Sequence, residues 1–144
     1  MFQKIVVAYD GSREAERALV SAIRLAKSLN AELHAVTVMA DLPAYAAFAE
    51  AADASITQLL QEDRTKFHQN LQEKARALAL RDSMEIRSHL VEGHEVEAIV
   101  EFLRMQKADL LVIGLHQRDL YIARLWSTVY ELAQEAPCSV LGVH

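Results

Sequence analysis

Residues 4–12 read "KIVVAYDGS", a short β-branched apolar run that stops at Asp-Gly-Ser. The run has the character of a buried strand, Gly11 gives the turn its backbone freedom, and Ser12 can cap a helix that follows. Directly downstream, Ala15, Ala18, Leu19, Ala22, Ile23, Ala26 and Leu29 recur at helical spacing. That stripe predicts one buried helix face and turns Arg13, Glu16, Arg17 and Arg24 toward water. Strand, turn and helix in this order are the unit of a parallel α/β domain, and the rest of the chain repeats it.

"AELHAVTVMA" (31–40) is a second strand, apolar enough along its length to predict burial on both faces. An alanine-rich stretch, "DLPAYAAFAEAADAS" (41–55), separates it from a long polar-faced helix of about Ile56 to Leu80. "MEIRSHLVEG" (84–93) is a third strand, "HEVEAIVEFLRMQ" (94–106) a third helix and "ADLLVIG" (108–114) a wholly apolar fourth strand. A helix beginning near Thr128 stops before Pro137, and "SVLGV" (139–143) is the last strand. Five strands alternating with four helices predict parallel pairing through crossovers, with no internal repeat or linker.

The 144 residues suit a single domain, 1–144, large enough to bury roughly two-thirds of its unfolded surface without a metal or disulfide. No apolar run reaches the length of a membrane span. The start, "MFQKIVVAYDGS", enters a strand pattern with only Lys4 before it and lacks a small-residue cleavage site, so a cytoplasmic protein is expected. The single cysteine, Cys138, cannot form an internal disulfide and agrees with that compartment. A net charge of −5 without a Lys/Arg cluster argues against nucleic acid as a partner.

Taken together, "KIVVAYDGS", the turn containing Gly93, "ADLLVIG" and "APCSVLGV" give a chain that resembles a universal stress protein domain over nearly its full length. The resemblance implies a doubly wound five-stranded parallel sheet of order 3-2-1-4-5, helices on both faces, and a ligand crevice at the carboxyl ends of strands one and four. The last strand, "SVLGV", is short, apolar and expected at a sheet edge, which predicts pairing of two copies through it, with Val140, Leu141 and Val143 as candidate contacts. Nucleotide-binding members of that family carry glycine, two residues, glycine, nine residues, then glycine and serine or threonine. Here the spacing survives as Gly114, Leu115-His116, Gln117, the nine residues Arg118 to Trp126, Ser127 and Thr128. Only the first glycine and the final hydroxyl match. A Cβ facing a phosphate blocks close backbone approach and positive φ, so Gln117 is the larger obstacle and Ser127 the milder one.

Each candidate has a structural reading beside its functional one. Asp10, Gly11 and Ser12 suit the adenosine part of a ligand and equally suit a capped strand-to-helix turn. Met39, at the end of the second strand, belongs with the same crevice. Thr128 with Glu131 matches a Thr-x-x-Glu capping box, which commits its hydroxyl to the backbone. Gly114 is expected to permit the turn that leaves the fourth strand. His116 could meet a phosphate when protonated or simply face solvent. Arg118 and Arg124 could grip phosphate or stand as surface charges. Tyr45 and Phe48 suit a lid, a partner surface or the core.

Cys138 opens an apolar strand and reads as a small buried side chain. The remaining histidines, His34, His68, His89, His94 and His144, lack the spacing of a metal site, and no metal is expected. There is no Gly-x-Ser-x-Gly elbow and no Gly-Lys-Ser/Thr phosphate loop.

These features favour a non-enzymatic regulatory homodimer, open to contacts with another protein, with weak or no ATP binding and no cofactor or membrane. The alternative is an ATP- or AMP-binding domain, with magnesium, that uses Asp10, Gly114, Ser127 and Thr128 despite Gln117 and leaves slow hydrolysis open.

Overall fold

A computed structural model of the chain describes residues 1–39, 53–115 and 128–144. Five strands form one sheet: β1 (Lys4–Ala8), β2 (Glu32–Met39), β3 (Arg87–Glu92), β4 (Leu110–Gly114) and β5 (Ser139–Val143). They pair in parallel in the order β3-β2-β1-β4-β5. The helices are α1 (Arg13–Leu29), α2 (Ala54–Arg81), α3 (Glu95–Gln106) and α4 (Thr128–Glu135). None of these helices is long and apolar enough to cross a membrane.

Alternation along the central strands divides the core in two, because successive side chains leave a strand on opposite faces. Ile5, Val7, Leu33, Ala35, Leu110 and Val112 face α1 and α2. Val6, Val36, Leu111 and Ile113 face α3 and α4, where Ile99, Leu103 and Leu132 meet them. The central positions of β1, β2 and β4 are buried on both faces, as their near-continuous apolar character predicts. The sheet's amino edge is tied by Asp109, whose carboxylate accepts from the backbone N–H of Gln3 at 2.8 Å and of Lys4 at 3.0 Å.

The α1 stripe holds except at its end. Ala15 through Ala26 are buried, whereas Leu29 is exposed, since it is the last helical residue before the chain reverses at Asn30 with φ 53. α2 starts two residues ahead of Ile56, with Asp53 capping it through the Ser55 N–H at 3.0 Å. β3 begins at Arg87 rather than near Met84, whose N–H still bonds Ala79 O at 2.9 Å in the turn closing α2. The alanine-rich stretch, with Tyr45 and Phe48, lies almost wholly outside the described residues.

Candidate functional site

In the order β3-β2-β1-β4-β5, the chain leaves β1 and β4 toward different sides of the sheet, and a crevice opens where their carboxyl ends diverge. The cavity there holds about 250 Å³. Its bed is apolar, formed by Val36, Val38, Ile99, Ile113 and Leu132. Asp10, Ser12 and Thr128 stand among its polar lining, with Gly114 beside them. Four residues singled out from the sequence are therefore brought together, from β4 and the segments that follow β1 and β4.

The turn after β1 is built by local bonds. Asp10 Oδ1 accepts from the Ser12 N–H at 2.9 Å, and Ser12 Oγ accepts from the Ala15 N–H at 3.1 Å as the α1 cap. Between them Gly11 has φ +81, and a Cβ there would meet the Leu71 side chain of α2 at 2.6 Å. The left-handed backbone requires glycine, and a Cβ would in addition displace the Leu71 side chain. The end of β1 is fixed by the Tyr9 N–H donating to Val36 O at 2.9 Å and the Thr37 hydroxyl donating to Tyr9 O at 2.6 Å. These bonds hold the Asp10 carboxylate at the crevice mouth without any contribution from a ligand.

Gly114 corrects its expectation. It is not among the positive-φ glycines, so turn freedom is not its role. An added Cβ would land on the backbone carbonyl of Glu14, in the first turn of α1, and within 2.9 Å of the Glu14 Cβ. Glycine is there so that β4 and α1 can approach. Thr128 also differs: it is the first residue of α4 rather than the residue before the helix, and it lines the crevice. Met39 ends β2, but Val36 and Val38 line the cavity, and Met39 alternates to the other face. His116, Gln117, Ser127, Arg118 and Arg124 lie outside the described residues.

Glu14 and Glu95 join Asp10 in the lining, a pair that the sequence reading did not select. Both occupy first turns, of α1 and α3, where the positive helix end favours a carboxylate. The signal available in the sequence was their position just after the Ser12 and Gly93 turns. Carboxylates can accept hydrogen bonds from sugar hydroxyls, and the apolar bed offers a flat base a place to lie. Tyr9 turns its ring to the α1 and α2 side, and burial raises its phenol pKa, with Glu16 and Asp10 adding to the effect. Cys138 is half-buried, and burial pushes its thiol up, away from the thiolate a nucleophile needs.

Comparison with known proteins places the chain by family and fold. The family model described as the universal stress protein family matches residues 1–144. A universal stress protein of Methanocaldococcus jannaschii is 32% identical over 144 residues, which cover 99% of this chain and 82% of the relative. A solved universal stress protein in complex with cAMP superposes with a TM-score of 0.78 at 28% identity, covering 99% of this chain and 97% of that one. A universal stress protein from Archaeoglobus fulgidus in complex with dAMP shares the fold, with a TM-score of 0.68 at 22% identity and coverage of 99% and 98%.

Proposed function

The chain belongs to the universal stress protein family, and from that premise we propose that it is a non-catalytic regulatory module whose crevice takes the adenosine part of a mononucleotide and grips a triphosphate weakly. The observation that carries this reading is the crevice itself, with an apolar bed under a fixed Asp10 carboxylate at the junction of β1 and β4. Its volume of about 250 Å³ lies just below the usual range of ligand cavities and gives room for a base and sugar. The cAMP and dAMP carried by two solved relatives support the same ligand class. Gln117 and Ser127, at the motif positions where the family's nucleotide binders have glycine, support the weakness toward ATP.

Thermal melting with and without ligand tests the reading. A ligand at about 100 times its dissociation constant adds roughly 2.7 kcal/mol, equivalent to several degrees for a domain of this size. Millimolar AMP or cAMP is expected to raise the midpoint by that order, and ATP with magnesium by clearly less. An ATP shift exceeding that of AMP, with micromolar affinity by calorimetry, reverses the preference. No shift with any adenine nucleotide removes the ligand from the proposal.

The module is proposed to act as a homodimer through β5. Among the described residues this strand pairs with β4 alone, leaving its outer edge as a template for another copy. Val140 and Val143 pack against the two core clusters, so lysine at either would also disturb folding. Leu141 is 39% exposed and gives the cleaner test. Leu141→Lys is expected to weaken association at least about tenfold in sedimentation, a change of roughly 1.4 kcal/mol. An unmodified protein that sediments as a monomer at micromolar concentration ends the idea.

A further inference from the structure

Away from the crevice, His34 of β2 and His89 of β3 meet under α3. His34 Nδ1 and His89 Nε2 are 2.8 Å apart, and the ring centroids are 5.0 Å apart with planes inclined by 16°. Nearly parallel planes with the nearest nitrogens at hydrogen-bond distance describe rings meeting edge to edge through an N–H···N bond, not rings lying face over face. His34 is 2% exposed. Among the described residues, the groups facing the pair are Lys4 from β1, Glu32 from β2, Arg87 from β3 and the ring of Phe102 from α3. Glu32 Oε1 stands 3.4 Å from His34 Nε2 and 2.7 Å from Arg87 Nη1, while Glu32 Oε2 is 3.7 Å from Lys4 Nζ. Phe102 packs on His89 with centroids 4.9 Å apart, tilted by 56°.

The contact holds one hydrogen, because one nitrogen must donate and the other accept. A first added proton can settle on an outer nitrogen and leave the bond whole. With a second, both facing nitrogens carry hydrogen at a separation that only an acceptor tolerates, and the rings must part. We propose that the His34–His89 pair is a proton-operated clasp that holds edge strand β3 and helix α3 against β2 and releases them on double protonation. The clasp reaches the crevice through α3, since Ile99, which lines it, lies one turn before Phe102. Acid thus loosens one wall of the site.

The titration has the required sense. Burial lowers the pKa of both histidines, and the charge of His34 lowers that of His89 further; Glu32 partly offsets the fall at His34. The folded form therefore binds fewer protons than the open form below the ordinary histidine pKa of about 6.5. Stability is full above that pH and is lost as pH falls through the depressed folded values.

Hydrogen exchange on the ligand-free protein between pH 8 and 5.5 tests the clasp independently of any nucleotide. After correction for intrinsic rates, amides of β3 and α3 are expected to open roughly tenfold more per pH unit for each proton taken up, while those of β4 stay unchanged. His89→Gln keeps a hydrogen-bonding side chain without the titration and is expected to flatten the dependence. His68, whose pKa is also lowered by burial, sits on α2 across the sheet, so its effect falls on different amides. Equal pH dependence in β3 and β4, or a slope surviving His89→Gln, overturns the proposal. Imidazole nitrogen NMR of the unmodified protein gives a reading that needs no variant. A coupled titration below 6.5 supports the clasp, and two independent titrations near 6.5 overturn it.

Discussion

Gly114→Val is expected to lower the melting midpoint by roughly 10 °C, corresponding to about 3 kcal/mol in a domain of this size. The added Cβ falls on the Glu14 carbonyl, and helix backbone can yield only if the start of α1 shifts as a body. That movement carries Ser12 and Glu14 away from the crevice, so nucleotide binding is expected to fall with stability. Gly142→Ala is the internal control. Its Cβ meets the side chain of Leu115, with Leu115 Cδ1 at 2.9 Å, and a side chain can rotate aside. That variant is expected to lose less than about 1 kcal/mol. Calorimetric melting of both variants decides the matter; a Gly114→Val protein as stable as the Gly142→Ala one contradicts the packing argument.

The second large effect concerns ATP. Gln117→Gly combined with Ser127→Gly is expected to strengthen ATP binding at least about tenfold, or roughly 1.4 kcal/mol, by clearing side chains from the phosphate path. Gln117→Gly alone is expected to supply most of the gain, because it removes the longer side chain, and Ser127→Gly alone less. Each glycine costs roughly 0.5 to 1 kcal/mol of stability where positive φ is not required. Titration calorimetry with ATP and magnesium on the two single variants and the double variant makes the test. A double variant that folds but binds no better than the parent places the fault elsewhere in the crevice.

Much of this site was legible one residue at a time. Asp10 to Ser12 announced a capped turn because capping and Asx bonds link residues two or three apart, and those bonds are present. The importance of Gly114 was legible, but the reason was not. Its neighbour Glu14 is remote in the chain, and nothing in "ADLLVIG" records what lies beyond the strand. Glu95, Val38 and the face taken by Met39 were missed for the same cause. Which residues share a crevice depends on strand order and on which side of the sheet each crossover runs.

By itself the sequence determined the alternation of strands and helices, the buried stripe of α1 from Ala15 to Ala26 and the caps at its start. These follow from periods and contacts that span a few residues. Only the tertiary structure decided that β4 and α1 touch at Gly114, that the first turns of α1 and α3 bring Glu14 and Glu95 to one cavity, and that His34 bonds His89 across 55 residues of chain. Local propensity carries no information on partners so far apart. Burial against the shared sheet selects them, because the two-residue alternation of each strand fixes a face and the parallel register fixes the height at which side chains meet.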